Sequence, residues 1–189
     1  MLGIRYNSPV VLTFSLVCAG LFFLNGALNG GLNSILVCPP TFNISNPADY
    51  LAIVLYIFGH ANMEHLLGNL SFLLLLGPIL EEKYGSGRVI MMIFFCALIT
   101  GILNVVFFDN GLLGASGVVF MFILLVSFAN NDHNGIPLTF ILILLLYVGK
   151  EVYNGMKEDN VSQFAHIAGG IIGSFFGFMT RKKNVHTHA

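Results

Sequence analysis

The chain has 189 residues, of which 56% are hydrophobic and 9% are charged, whereas charged residues make up about 25% of a typical soluble domain. This composition predicts an integral membrane protein. At about 20 apolar residues per transmembrane helix, the chain is long enough for roughly six spans in one bundle. The net charge of −1, with no basic cluster before the tail at residues 181–183, argues against a nucleic-acid partner.

The first half of the chain predicts two spans joined by an irregular segment. Residues 9–28 are apolar, and since no small-residue cleavage pattern clearly ends them, we expect an uncleaved helix rather than a signal peptide. Residues 29–46 are rich in Gly, Asn and Pro and predict an interfacial loop. Residues 51–58 then lead into a polar segment, after which residues 70–80 complete the second span.

The second half predicts four more spans. A charged connector at residues 81–88 and polar turns at 109–111 and 130–135 separate them. Residues 150–160, where Gly and Asn lie among Lys, Glu and Asp, predict a solvated loop. We therefore expect the third to sixth spans over residues 89–108, 116–130, 136–148 and 161–179.

The fourth predicted span is too short to cross a membrane. Its roughly 15 residues make about 22 Å of helix at about 1.5 Å per residue, against a hydrocarbon core of about 30 Å. Its first residue, Ser116, is therefore expected inside the membrane. The preceding residues 107–113 must dip in while buried among other helices, because lipid cannot satisfy irregular backbone.

Six spans place both termini on one side of the membrane, and the basic residues predict which side. Arg5, Lys83, Arg88 and residues 181–183 fall on the side of the termini, whereas Lys150 and Lys157 fall opposite. By the positive-inside rule, we expect a multi-pass protein of the plasma or inner membrane with both termini in the cytoplasm. His65, Ser116 and His166 then share the outer half of the bilayer, with residues 150–160 as a mobile cover over them.

Ser116 is a polar residue where an apolar one is expected. It lies in Gly114-Ala115-Ser116-Gly117, at the start of a run of Val, Phe, Met, Ile and Leu. An intramembrane polar residue is a candidate functional residue. The structural alternative is a small-residue patch that lets helices pack closely, with the serine bonded to its own backbone.

Two histidines near the start of the second span, His60 and His65, are expected to point in different directions around the helix axis. His65 and Asn69 are four residues apart and share one helical face. His60 lies about 140° away around a helix at about 100° per residue, or else precedes the helix. We expect His60 to satisfy carbonyl groups of the residue 29–46 loop.

No metal or cofactor is expected. His60 and His65 cannot form the paired ligands that a His-Glu-x-x-His helix offers, because they do not share a face. The three cysteines, Cys18, Cys38 and Cys96, are widely spaced and contain no Cys-x-x-Cys pair, so they predict neither a disulfide framework nor a zinc knuckle.

The sixth span carries His166 beside a stripe of glycines at positions 169, 173 and 177. The stripe favours close helix packing, and a histidine beside that groove could come within hydrogen-bond reach of a partner helix's serine. The structural alternative is a core histidine bonded to a backbone carbonyl. No Asp or Glu occurs in the fourth or sixth span, so Ser116 and His166 would form a dyad, with His166 fixed by packing against Phe120.

Four motifs together resemble the rhomboid intramembrane serine proteases, over about residues 60–177. In chain order they are His60-x4-His65-x3-Asn69, Gly77-x3-Glu81-x3-Gly85, Gly114-x-Ser116-Gly117 and Ala165-His166-x2-Gly169-x3-Gly173. The resemblance implies an all-α, polytopic bundle of six transmembrane helices. It also implies a single membrane-embedded domain over residues 1–189, with residues 1–8 and the basic tail 181–189 outside the bundle.

The resemblance implies a serine endopeptidase that cleaves transmembrane segments of other membrane proteins within the lipid bilayer, through an acyl-enzyme. Ser116 would be the nucleophile and His166 the general base. His65, Asn69 and the Ser116 backbone N–H would stabilise the oxyanion. Structural residues near the site would be His60, Gly114, Gly117, Phe120, Gly169 and Gly173.

Two positions depart from the family pattern. Leu51-Ala52 stand where many members carry Trp-Arg in the first loop. Phe120 stands where a tyrosine often follows the serine by four residues, so it keeps an aromatic face and lacks the hydroxyl.

Two other functions stay open at this point. One is a non-catalytic rhomboid-like protein that recognises and escorts membrane segments, although the presence of both Ser116 and His166 counts against it. The other is a small transporter with a histidine proton relay, which would need polar residues in both leaflets.

Overall fold

The computed structural model describes residues 5–129, 136–155 and 161–180, and in these ranges the protein is all-α, as predicted. The helices are α1 (Pro9–Ala27), α2 (Asn33–Leu36), α3 (Pro47–Leu55), α4 (Met63–Tyr84), α5 (Ser86–Phe107), α6 (Ser116–Ala129), α7 (Leu138–Gly155) and α8 (Val161–Thr180). Within the described ranges, α1, α4 and α5 are each long and apolar enough to cross a membrane, and α6 is apolar but shorter.

Helix α6 lies at the centre of the bundle. It is apolar on every side, and each residue from Gly117 to Leu125 is buried, as expected for a helix without a polar face. It packs most extensively against α8 and then against α4. Ser116, its first residue, therefore begins the most enclosed helix of the fold.

Glycines let α8 lie against α6 at backbone distance. A Cβ atom at Gly169 would run into the carbonyl group of Gly117, and one at Gly173 would lie 2.5 Å from the carbonyl oxygen of Met121. Gly177 faces the ring of Phe128 in the same way. The predicted packing stripe is confirmed, and small residues are what allow this approach.

The prediction of a charged connector at residues 81–88 is wrong, because nearly all of this segment is helical. Helix α4 continues to Tyr84 and α5 begins at Ser86, so Gly85 alone makes the turn. Its φ of 83° is in the region that glycine adopts at low cost.

The acidic residues of that segment are therefore not loop residues, and Glu81 joins two helices. Its buried carboxylate accepts hydrogen bonds from the backbone N–H groups of Val10 and Val11, both at 3.0 Å, in the first turn of α1. The first N–H groups of a helix lack intrahelical partners and carry partial positive charge. Glu81 satisfies them from α4 and ties the two helices together.

Residues 51–58 do not lead directly into the second span, as had been expected. They belong to α3 and a 3₁₀ turn at Tyr56–Phe58, and the chain breaks there before α4. Gly59 is extended at the break, and a Cβ atom on it would strike the carbonyl group of Leu36. The predicted 29–46 loop also contains one short helix, α2.

Helix α7 runs further than predicted. Residues 150–155 are helical rather than a solvated loop, because Lys150 and Glu151 favour helix and only Gly155, at the end, strongly disfavours it. Residues 156–160, which complete the predicted cover, lie outside the described residues, as do the predicted turn at 130–135 and the tail at 181–189.

Candidate active site

The segment before Ser116 is held on three sides by hydrogen bonds. Leu112 pairs with Cys38 through two backbone hydrogen bonds of 2.8 and 3.0 Å. The Asn104 amide donates to the carbonyl group of Asn110 at 3.0 Å, and the N–H of Gly114 donates to the carbonyl group of Tyr56 at 2.9 Å. These bonds satisfy backbone groups at Asn110, Leu112 and Gly114 within the protein, as an irregular segment in lipid requires. The prediction that residues 107–113 lie buried among other helices is wrong in part, because Leu112 is buried whereas Phe107 and residues 109–111 are exposed.

Gly114 brings the backbone before Ser116 against the imidazole of His65. Its φ is 116°, which side chains rarely allow, and a Cβ atom there would lie 2.6 Å from Cε1 and Nε2 of His65. The same position is 3.7 Å from Nδ2 of Asn69. Gly114 is therefore required both by its conformation and by the room that His65 takes.

One cavity of 820 Å³ collects the predicted site residues. Its polar lining consists of Asn62, Glu64, His65, Asn69, Ser116 and His166, and its remaining lining is mainly apolar. The two residues predicted to share a face of α4, His65 and Asn69, both line it, opposite the first turn of α6. A hydroxyl, two imidazoles and an amide around one cavity are the groups that acyl transfer uses.

Asn69 places an unused donor in this cavity. Its side chain is 6% exposed, and its Nδ2 makes no hydrogen bond to any described residue. A buried polar group left unpaired costs about 1–3 kcal/mol, so such groups in a native fold call for a functional explanation. Asn69 lines the cavity, and its buried Nδ2 is a donor that no described residue accepts from.

His166 is positioned by stacking. Its ring lies parallel to that of Phe120, with 4.2 Å between the ring centroids and 5° between the planes. The predicted packing of His166 against Phe120 is confirmed. Gly117 and Gly169 lie at the same crossing of α6 and α8, where their lack of side chains brings the two helices together.

Of the two positions predicted for His60, the one before the helix is confirmed and the one on the helix is wrong, because α4 begins only at Met63. His60 lies in the break before α4, and its ring centroid is 5.1 Å from that of His65, at 61° between the planes. Its Nδ1 lies 3.2 Å from the carbonyl oxygen of Phe58 rather than a carbonyl of the 29–46 loop. Burial, with a smaller contribution from His65, lowers the pKa of His60 to about 4.

Sequence reasoning missed two polar residues that line the cavity, Asn62 and Glu64. The side chain of Asn62 caps α4 by accepting a hydrogen bond from the backbone N–H of His65 at 2.8 Å. An asparagine three residues before His65 fits the N-cap pattern, which could have located the start of α4.

Comparison with known proteins identifies the family. The Rhomboid domain family matches residues 47–183. Rhomboid-related protein 1 of Caenorhabditis elegans is 30% identical over 195 residues, which cover 89% of this chain and 54% of that protein. Rhomboid protease GlpG of Haemophilus influenzae is 26% identical over 126 residues, covering 65% of this chain and 66% of that protein.

Rhomboid protease GlpG of Salmonella paratyphi A is 32% identical over 130 residues, covering 66% of this chain and 46% of that protein. The chain thus spans about half to two thirds of the length of these curated relatives. The family match covers most of the chain and includes every residue of the cavity described above. The protein is a multi-pass membrane protein that belongs to the rhomboid family.

Proposed function

We propose that the protein is an intramembrane serine endopeptidase that hydrolyses a peptide bond in or near a transmembrane segment of another membrane protein. The observation that carries the proposal is the single cavity lined by Ser116, His166, His65 and Asn69. Membership of a family that includes proteins named rhomboid proteases supports the same function.

In the first step, Oγ of Ser116 attacks the carbonyl carbon of the scissile bond while His166 takes the hydroxyl proton. The electron pair of the C=O bond moves to the oxygen, which becomes an oxyanion. His65, the Nδ2 group of Asn69 and the backbone N–H of Ser116 donate hydrogen bonds to it. Removing one such donor lowers the rate by about 10² to 10³ in other enzymes.

In the second step, His166 gives its proton to the leaving nitrogen, the C–N bond breaks, and an ester of Ser116 remains. A water molecule then attacks the ester carbonyl and gives a proton to His166. The second oxyanion collapses, and the Ser116 oxygen leaves and takes back that proton. With no Asp or Glu on α6 or α8, the ring of Phe120 orients the base.

We further propose that α1 and α4 to α8 are six spans of one domain over residues 1–189. Both termini are cytoplasmic, and the cavity lies in the outer half of the bilayer. The three membrane-length helices and the Lys/Arg distribution support this arrangement. In a cysteine-free background, an impermeant thiol reagent should label Asp109→Cys and spare Lys83→Cys in intact cells; the reverse pattern would overturn the orientation.

A fluorophosphonate that reacts with activated serines tests the dyad. The purified protein should be labelled at Ser116, as mapped by mass spectrometry, and both Ser116→Ala and His166→Ala should abolish labelling. Ser127→Ala is the matched control on α6, since that hydroxyl only donates to the carbonyl group of Leu124. Folded wild-type protein that stays unlabelled would support the non-catalytic binder instead.

A further inference from the structure

We infer that Glu64 selects substrates with a basic side chain close to the scissile bond, an inference that rests on the proposed function of the Ser116 cavity. Glu64 is the second residue of α4 and precedes His65 directly. It lines the same cavity as Ser116 and His166. A substrate segment that presents its carbonyl group to Ser116 therefore occupies a cavity that this carboxylate also lines.

Glu64 is the only acidic residue in the described lining of the cavity, which contains no Lys or Arg. Its side chain is exposed, and it makes no hydrogen bond or ion pair with any residue in ranges 5–129, 136–155 and 161–180. The charge at the rim of the cavity is consequently negative and available to a ligand.

A structural role accounts for part of this placement. An acidic residue in the first turn of a helix interacts favourably with the helix dipole. The capping hydrogen bond of α4, however, comes from Asn62, whose side chain accepts from the N–H of His65. The carboxylate of Glu64 is thus not needed to satisfy the N–H groups at the end of the helix. An interaction with the helix dipole alone would also give no preference among substrates of different charge.

The physical basis for selection is the charge of the exposed Glu64 carboxylate, which a bound substrate segment covers and partly shields from water and salt. Interactions between charges grow as the effective dielectric constant falls and as salt is excluded. Glu64 attracts a Lys or Arg of the substrate and repels an Asp or Glu at the same place. Attraction and repulsion therefore both increase the preference for the basic substrate over the acidic one. The long stems of Lys and Arg also allow the charge to reach the rim while the segment stays in lipid.

The test uses a model transmembrane substrate in three series, with Lys, Gln or Glu placed in turn at each of about four positions on both sides of the scissile bond. Each is cleaved in liposomes by the wild type, Glu64→Gln, Glu64→Lys and the control Glu82→Lys. Glu82 is an exposed acidic residue near the other end of α4. Labelling of Ser116 by a neutral fluorophosphonate checks that each variant is folded.

At one or more positions, the wild type should cleave the Lys substrate with a kcat/KM about tenfold above that of the Glu substrate. Glu64→Gln should reduce this ratio to about twofold or less, Glu64→Lys should invert it, and Glu82→Lys should preserve it. Added salt should weaken the preference.

Equal Lys/Glu ratios in the wild type and in both Glu64 variants at every position would overturn the inference and leave the proposed protease intact. Failure of the proposed function gives a different result, in which the wild type cleaves no substrate and Ser116 stays unlabelled. If Glu64→Lys fails to fold, Glu64→Gln decides the question, because it removes the charge and keeps the shape.

Discussion

The imidazole of His166 lies flat on the ring of Phe120, with 4.2 Å between the ring centroids and 5° between the planes. The two rings come from α8 and α6, which pack at backbone distance through Gly169 and Gly173. In the proposed Ser116–His166 dyad, this aromatic face takes the orienting role that a carboxylate has in a Ser-His-Asp triad. Stacking uses the face of the ring, so the hydroxyl that a tyrosine would add is not needed for it.

Phe120→Leu should therefore slow both fluorophosphonate labelling and substrate cleavage by about tenfold, because an aromatic pair contributes about 0.5–1.5 kcal/mol beyond its buried area. Phe120→Tyr keeps the face and should stay within about threefold of the wild type. The measurement is the second-order labelling rate of variants with matched melting temperatures. Wild-type labelling by Phe120→Leu would show that the stack does not orient the base.

Gly114→Ala should strongly reduce turnover. The φ of 116° disfavours any side chain, and the added methyl group would meet the His65 ring at 2.6 Å, which displaces a proposed oxyanion donor. We expect a loss of at least about 10² in kcat. The matched control is Gly20→Ala in α1, where a Cβ atom meets nothing within 4 Å. A Gly114→Ala protein as active as this control would contradict the assignment.

Asp49 is the anchor of the first loop, where the chain lacks the Trp-Arg pair of many relatives. Its buried carboxylate accepts hydrogen bonds from the N–H of Asn43 at 2.8 Å and from Nδ2 of Asn46 at 2.6 Å. Asp49→Ala should lower the free energy of unfolding by about 1–3 kcal/mol and expose residues 29–46 to protease. Exposed Ser45 supplies the control, as Ser45→Ala should change stability by less than about 0.5 kcal/mol. Equal stability of the two variants would refute the anchor.

The lowered pKa of His60 predicts that the protein loses stability in acid. Its pKa is lowered to about 4 in the fold, mainly by burial, against about 6.5 in an unfolded chain. Between these values the unfolded state binds more protons, so the contribution is complete above about pH 6.5 and is lost as the pH falls towards 4. His60→Gln should flatten this part of the stability curve in detergent. An unchanged pH dependence in that variant would assign the acid sensitivity elsewhere.

In contrast to His60, His65 should affect turnover and leave stability nearly unchanged. His65→Ala is expected to keep its melting temperature within a few degrees and to lose about 10² in turnover, as an oxyanion donor would. His60→Gln, once folded, should still react with the fluorophosphonate. A stable but inactive His60→Gln beside an active His65→Ala would reverse the two assignments.

Much of the architecture could be predicted from apolar patterns. The predicted first, third, fourth and sixth spans end within three residues of α1, α5, α6 and α8. Small residues around Ser116 and along α8 identified the helix crossing that the fold contains. Such local patterns suffice because span length and close packing are properties of single helices.

Features that depend on contacts distant in the chain could not be predicted. Glu81 looked like part of a charged loop because its partners, the first N–H groups of α1, lie about 70 residues away. The position of His60 depended on the break at Gly59, which packs against the carbonyl group of Leu36. In both cases tertiary contacts override the local pattern.

The most direct test of the central claim is proteolysis by the purified protein in liposomes that contain a model transmembrane substrate. We predict cleavage at a defined bond, mapped by mass spectrometry, that is lost in Ser116→Ala and in His166→Ala while both variants keep the wild-type melting temperature. Undiminished cleavage by Ser116→Ala, or stable binding of the substrate by the wild type without any cleavage, would contradict the proposed serine protease.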